Sequence, residues 1–200
     1  MEKTRPDNTV RSVTNRIVAR LDQTLETPSG RATLANLRNS IGRPLSESVA
    51  IWPFMFEFLP EEFLGRSQPL SKKEEAILTS LQLYALYRQG KGAEARGAQG
   101  TSPGNIGRAL NALRTGENTV STDRRFNALV TATTYEELKH HLRQMITLLK
   151  AKAGGEAIDF GRLAQDLYSF LIGEEEDVRL NWAKAYYRTY YKEGGTENEQ

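Results

Sequence analysis

The spacing of the apolar residues constrains the fold of this 200-residue chain more than any other feature. Between about residues 9 and 26 they recur every three or four positions, at Val10, Val13, Ile17, Leu21 and Leu25. This period places them on one face of an amphipathic helix. Most other segments repeat the pattern, and none alternates apolar and polar residues as a half-buried strand does. The sequence therefore predicts an all-α fold of about nine helices in two packed bundles.

Breaks in the pattern predict the domain organisation. Pro28 to Gly30 interrupt the first helix, with Ser29 as the expected N-cap of a second helix that Gly42 ends. A capping box from Ser71 to Glu74 begins a helix that reaches about residue 89. We therefore expect an N-terminal helical bundle over residues 1–89.

The stretch 90–104, GKGAEARGAQGTSPG, is rich in glycine and has no periodicity, so we expect a flexible linker or loop. A sharper alternative is that Lys91 and Arg96 become ordered against nucleic acid. A C-terminal helical bundle is predicted over 105–192, with Asp159 as the N-cap of one helix, and residues 193–200 are predicted to be a disordered tail.

The aromatic run SESVAIWPFMFEFLPEEFLG contains two prolines, Pro53 and Pro60. These forbid one straight helix, so two short pieces or a kinked helix are expected. We expect its aromatic residues in the core, namely Trp52, Phe54, Phe56 and Phe58.

Composition excludes several classes of function. The chain has no cysteine, which removes disulfides and thiolate metal sites and favours a reducing cytoplasm. No apolar stretch reaches the ~18 residues of a membrane span, and no signal-peptide pattern is present. The protein is therefore expected to be cytoplasmic, without contact to a membrane.

Catalytic patterns are equally weak. His140 and His141 are adjacent and point about 100° apart on a helix, so they cannot clamp a metal together. Asp123, Asp159 and Asp166 are too scattered for a two-metal site, and no serine nucleophile motif or Walker loop occurs. The sequence favours a protein that is not an enzyme and that has no metal site and no cofactor.

Charge is segregated along the chain although the formal net charge is only +2. Residues 1–43 carry eight Lys/Arg against four Asp/Glu, and residues 88–125 carry seven against three. In contrast, residues 155–200 carry five against ten. This segregation predicts a basic face that holds a polyanion and an acidic remainder that contacts basic proteins.

Several basic residues lie in apolar helical runs, where their charged groups lose part of their hydration. Phosphate is among the few partners whose hydrogen bonds compensate for that loss. Arg31 and Arg38 stand two turns apart on one helix face. Arg124 and Arg125 are expected in the first turn of a helix, where free N–H groups already attract an anion. The candidate nucleic-acid-binding residues are Arg16, Arg20, Arg31, Arg38, Arg108, Arg124, Arg125, Lys139 and Arg143. For any one of them, an ion pair to a nearby carboxylate or a solvated helix face is the competing interpretation.

Five segments in order resemble the CasB family, the small subunit of the type I-E CRISPR effector complex Cascade. They are the IGRAL helix start at 106, RRF at 124, HLRQ at 141, IDFGRLAQDL at 158 and WAKAYY at 182. The resemblance spans about residues 29–191. The chain departs from the family pattern at Asn39, Phe160 and Lys184.

The resemblance implies a noncatalytic, two-bundle protein in CRISPR antiviral defence, present as two copies beside other Cascade subunits. It implies contacts to the displaced single-stranded DNA of the R-loop and to the guide RNA backbone. Carried over to this sequence, those contacts fall on Arg38, Arg108, Arg124, Arg125 and Arg143, and helical geometry adds Arg31.

Two other functions stay open from the residues. A standalone DNA-binding regulator would read bases through the helix 123–132 and its Asn127. A structural adaptor would use the basic face to bind an acidic protein.

Overall fold

The computed structural model describes residues 8–66, 70–90, 104–115 and 119–188, and its regular structure within these ranges is helical, without a β-strand. The all-α prediction is confirmed, as is the number of nine α-helices among the described residues. These helices are α1 (Val10–Thr24), α2 (Pro28–Asn39), α3 (Trp52–Phe58), α4 (Lys72–Arg88), α5 (Ile106–Asn111), α6 (Thr119–Val130), α7 (Tyr135–Lys152), α8 (Phe160–Leu171) and α9 (Glu175–Tyr187).

Helix α4 lies at the centre and packs against α1, α2, α7 and α8. Every residue from Ala76 to Ala85 is buried, as expected of a helix that is surrounded by other helices. The predicted capping box at its start is confirmed: the Ser71 hydroxyl accepts from the Glu74 N–H at 3.1 Å, and the Glu74 carboxylate accepts from the Ser71 N–H at 2.7 Å.

The polar side chains of α4 connect it to its neighbours. Ser80 Oγ donates to the Phe160 carbonyl of α8 at 2.7 Å, and Gln82 Nε2 donates to the Ser40 hydroxyl at 2.9 Å. Tyr84 Oη donates to Asp22 of α1 at 2.8 Å. Because a buried polar group without a partner destabilises the fold, these bonds fix the positions of the surrounding helices.

Contacts also join distant parts of the chain. Helix α8 packs on α1 and α4, α5 packs on α9, and α6 packs on α7. The buried apolar residues form one continuous cluster that includes Val10 of α1 and Tyr186 of α9. The division into bundles at 1–89 and 105–192 stays a prediction, and the packing of α8 crosses it. The tail 193–200 and most of the predicted linker 90–104 lie outside the described residues. No described helix is long and apolar enough to cross a bilayer.

Two local predictions near α2 and α3 were wrong. The N-cap of α2 is Thr27, whose hydroxyl accepts from the Gly30 N–H at 3.0 Å, because Pro28 occupies the first turn of the helix. Phe56 is 40% exposed rather than in the core. Helix α3 directs Met55 inward, so Phe56, one residue further along, points away.

The start of α6 corrects a third expectation. The helix begins at Thr119, so Arg124 and Arg125 are its sixth and seventh residues rather than members of its first turn. Both side chains are exposed. The argument from free N–H groups at a helix start therefore does not apply to this pair.

Gly107, in the IGRAL segment, allows α5 to approach α9 closely. A Cβ built on Gly107 would fall inside the contact distance of the Trp182 carbonyl oxygen of α9. The Asn105 side chain, which caps α5, also donates to the Asn181 carbonyl at 2.8 Å. Backbone packs directly on backbone at this crossing.

We predict that Gly107→Ala lowers the free energy of unfolding by about 1–3 kcal/mol, because the added methyl group must displace a backbone carbonyl. Chemical denaturation of the full chain measures the change. Gly155→Ala is the control, because nothing lies within 4 Å of its added Cβ, and its effect should stay within about 0.5 kcal/mol. Equal stability of both variants and the parent would contradict the close crossing of α5 and α9.

Candidate nucleic-acid interface

Three guanidinium groups line a groove where α2 meets the end of α4. This first groove, of about 400 Å³, is lined by Leu25, Glu26, Arg31, Leu34, Arg38, Arg88, Gln89 and Gly90. The prediction that Arg31 and Arg38 share a face is realised, since both lie in the same groove. Glu26 is 3.9 Å from Arg31 and both side chains are mostly exposed, so this ion pair is weak. Three cations against one carboxylate among the lining residues leave the groove positively charged.

Lys150 of α7 extends this cationic region. Its Nζ donates to Gln89 Oε1 of the first groove at 3.2 Å. Partial burial and then the positive charge of Arg38 lower the pKa of the Lys150 amine. Arg38 on α2 and Lys150 on α7 therefore repel each other. An anion that bound to both would relieve this repulsion.

A second groove follows α7 toward α6. It has a volume of about 620 Å³ and is lined by Arg125, His140, Arg143, Gln144, Thr147, Leu148 and Ala151. The two arginines come from different helices, and no carboxylate stands among these lining residues. The groove reaches Ala151, which is next to Lys150 in α7. We call Arg31, Arg38, Lys150, Arg143 and Arg125 the basic band.

A smaller pocket adjoins the second groove. It has a volume of about 270 Å³ and is lined by Ile41, Gly42, Thr79, Gln82, Leu83, Glu136, Lys139, His140 and Arg143. Residues from the turn after α2, from α4 and from α7 form its walls. Arg143 and His140 line both this pocket and the second groove.

Lys139 differs from the cations of the band because it is paired inside the protein. Its Nζ lies 3.0 Å from Glu75 of α4 and 2.7 Å from Glu136. Burial alone would lower the pKa of Lys139, but hydrogen bonds to the two carboxylates outweigh it and the pKa is raised. Lys139 therefore forms an ion pair within the protein, which is the alternative to nucleic-acid binding that the sequence left open.

The remaining predicted residues lie apart from the two grooves and the pocket. Arg16 and Arg20 are exposed on α1, where Arg16 donates to the Asn8 side chain at 3.4 Å. Arg108 is partly buried on α5, with its side chain close to Gly104. Arg124 is exposed on α6 beside Arg125. None of these four lines the depressions described above.

Comparison with known proteins decides the family. The model of the family CRISPR-associated protein Cse2 matches residues 33–187. The chain belongs to this family. Its fold is similar to the crystal structure of CasB from Thermobifida fusca, with a TM-score of 0.71 and 26% sequence identity over 90% of this chain and 98% of that one. No curated protein sequence matches. Membership makes the chain a Cascade subunit in CRISPR defence and confirms the resemblance seen in the sequence.

Several residues in the segments that resemble the family form hydrogen bonds within the fold. Trp182 Nε1 donates to Asp166 at 2.6 Å, and Tyr186 Oη donates to Asp123 at 2.8 Å. Arg114 Nε donates to the same Asp123 at 2.9 Å. Burial by itself raises the pKa of Asp123, but the bonds from Arg114 and Tyr186 lower it overall. Through these contacts Asp166 and Asp123 connect α9 to α8 and α6.

The histidines do not form a metal site in the described part of the chain. The rings of His140 and His141 are 5.4 Å apart and nearly perpendicular, and no group of three potential metal ligands occurs among the described residues. His140 Nε2 is 2.9 Å from the Gln144 amide nitrogen, and His141 is 3.9 Å from Glu137.

Sequence reasoning omitted two cations that the structure places with the predicted ones. Lys150 is seven residues after Arg143, which places both on one face of α7, and this spacing is a signal in the sequence that points to Lys150. Arg88, which is 7% exposed and lines the first groove, looks from the sequence like a residue that stabilises the end of α4. Only the packing of α2 against α4 brings it beside Arg31 and Arg38.

We predict that Arg38→Gln raises the pKa of the Lys150 amine, because it removes the positive charge that opposes protonation. An NMR pH titration of the lysine side-chain signals measures this pKa. Arg20→Gln removes an equal charge from α1 and should leave the Lys150 pKa unchanged. The same pKa in the parent and in Arg38→Gln would show that α2 and α7 do not form one cationic surface.

Proposed function

We propose that this Cse2 family member is a noncatalytic subunit that holds a sugar-phosphate backbone on its basic band and thereby stabilises the R-loop of Cascade. The observation that supports this most is that two grooves are lined by cations from three helices: α2 supplies those of the first groove, which Lys150 of α7 reaches through Gln89, and α6 and α7 supply those of the second. Such an extended track suits a polymer of phosphates better than a small anion.

The physical basis of the proposal is neutralisation of phosphates. Arginine side chains bind phosphate oxygens bidentately and release the counterions of the nucleic acid. R-loop formation is a nearly balanced exchange of one duplex for another, so contacts to a displaced strand can shift it. The binding partners in this proposal are the displaced single-stranded DNA, with the guide RNA backbone, other Cascade subunits and a second copy of the chain.

The proposed roles differ among the predicted residues. Arg38, Arg125 and Arg143 contact the backbone directly, and Arg31 and Lys150 extend the track. Arg16, Arg20, Arg108 and Arg124 remain proposed contacts for other parts of the same polymer. Lys139 keeps its place in this proposal as a residue of the pocket that Arg143 also lines, with its positive charge offset by Glu75 and Glu136.

The alternative of a base-reading regulator has less support. Its candidate residue Asn127 accepts a hydrogen bond from Tyr187 Oη at 2.9 Å, so its side-chain oxygen is already engaged within the fold. The alternative of an adaptor for an acidic protein uses the same basic band. An experiment can distinguish the two functions. If the chain is an adaptor, neutralising the arginines abolishes assembly of the complex rather than its retention of DNA.

We predict that the double variant Arg125→Gln/Arg143→Gln weakens binding of single-stranded DNA and flattens its salt dependence. If six phosphates are neutralised by the parent, log affinity falls with log salt at a slope of about −4, and losing two contacts reduces the steepness by about 1.4. Fluorescence anisotropy of the full chain with a labelled oligonucleotide, at several salt concentrations, measures both quantities.

The double variant Arg66→Gln/Lys72→Gln is the matched control, because it removes two exposed charges from the acidic segment 44–87. It should keep the slope of the parent. In assembled Cascade, Arg125→Gln/Arg143→Gln should reduce retention of target DNA while the subunit is still incorporated. Loss of incorporation with unchanged slope would favour the adaptor instead.

We also predict that affinity is nearly independent of sequence. Because phosphates carry no sequence information, strands of equal length and different sequence should compete with one another equally. The expected differences per base are smaller than the about 1–3 kcal/mol that bidentate base recognition provides. A competition assay in which one sequence displaces the others by that margin would support the regulator.

A further inference from the structure

The pocket beside the second groove has features that a backbone track does not require. Its volume of about 270 Å³ is just below the range of about 300–1,000 Å³ that is common for small-molecule sites. It therefore suits a group the size of one nucleobase. Arg143 stands at its boundary with the second groove, so a phosphate held by Arg143 would place the attached nucleotide within reach of the pocket.

The walls of the pocket combine apolar surface with fixed polar groups. Leu83 and the partly buried Ile41 line it and make part of its wall apolar, as contact with a planar ring requires. The Gln82 amide is held by two bonds to Ser40, at 2.9 and 3.1 Å, and Glu136 is held by Lys139 at 2.7 Å. The buried Gln82 amide is thus positioned before any ligand enters, whereas the exposed Glu136 pair is weak.

We infer that this pocket receives one unstacked base of the single strand whose phosphates lie on Arg125 and Arg143. This inference rests on the proposed function. Bases of single strands commonly leave the stack and pack against side chains, and such contacts tolerate any sequence because every base has a flat apolar face. The pocket therefore adds affinity for single-stranded over duplex nucleic acid without adding sequence recognition.

The adjoining imidazole supports this choice of ligand. His140 lines both depressions, is exposed, and is oriented by Gln144 at 2.9 Å. An aromatic ring at the entrance of the pocket can stack on a base that passes between the groove and the interior. An apolar side chain from a partner protein is the main competing occupant, and the experiment below separates the two.

The test compares two strands of about 12 nucleotides, within the common site sizes for single-strand binding. One is oligothymidine, and the other has the same phosphates but an abasic sugar at every position. We expect the parent chain to bind the thymidine strand at least about fivefold more tightly, which corresponds to the lower limit for one base contact. Both strands should show the same salt slope.

Filling the pocket should remove this preference. We expect Ile41→Trp to bind the two strands equally while keeping the salt slope of the parent. His140→Ala, at an exposed helical position, removes the ring that stacks on the base and should reduce the preference. Ile172→Trp introduces the same ring at an exposed site away from the pocket and should behave like the parent. Circular dichroism melting verifies the fold of each variant.

The outcomes distinguish this inference from the proposed function. Equal binding of both strands by the parent, with the expected salt slope, overturns the base pocket and leaves the phosphate track intact. Salt-independent or absent binding of either strand contradicts both. An unchanged preference in Ile41→Trp and His140→Ala, together with poorer incorporation into Cascade, assigns the pocket to a partner side chain and overturns the inference.

Discussion

The burial of α4 on every side is the constraint on which the rest of the structure depends. A helix in this position requires apolar residues around its whole circumference, and each polar residue requires a partner on another helix. Ser80, Gln82 and Tyr84 meet this requirement through Phe160, Ser40 and Asp22. The same bonds determine where α1, α2 and α8 lie. The positions of the cations on α2 are therefore a consequence of the core, not of the surface.

The sequence contained enough information for the fold class and for many helix boundaries. Apolar residues at helical spacing identified most helices, and capping residues marked the starts of α4 and α8, at Ser71 and Asp159. Both signals are local, so they can be recognised without tertiary structure. The start of α6 at Thr119 was not recognised because the residues before Asp123 carry no regular apolar stripe.

The candidate site was less predictable because the sequence does not distinguish cations that face solvent from cations that are paired internally. Arg143 and Lys139 lie on the same stripe of α7, yet only Lys139 meets Glu75, a residue 64 positions away in the chain. Arg88 enters the site through contacts between α2 and α4. These pairings arise from how helices pack, and no local spacing encodes them.

The attachment of α7 to α4 at both ends has a consequence for the energetics of binding. Near its start, Tyr135 donates to Thr79 at 3.1 Å and Lys139 pairs with Glu75, and near its end Lys150 bonds Gln89, the residue that follows α4. The backbone that carries Arg143 is thus preorganised, and association with a ligand need not spend free energy on immobilising it.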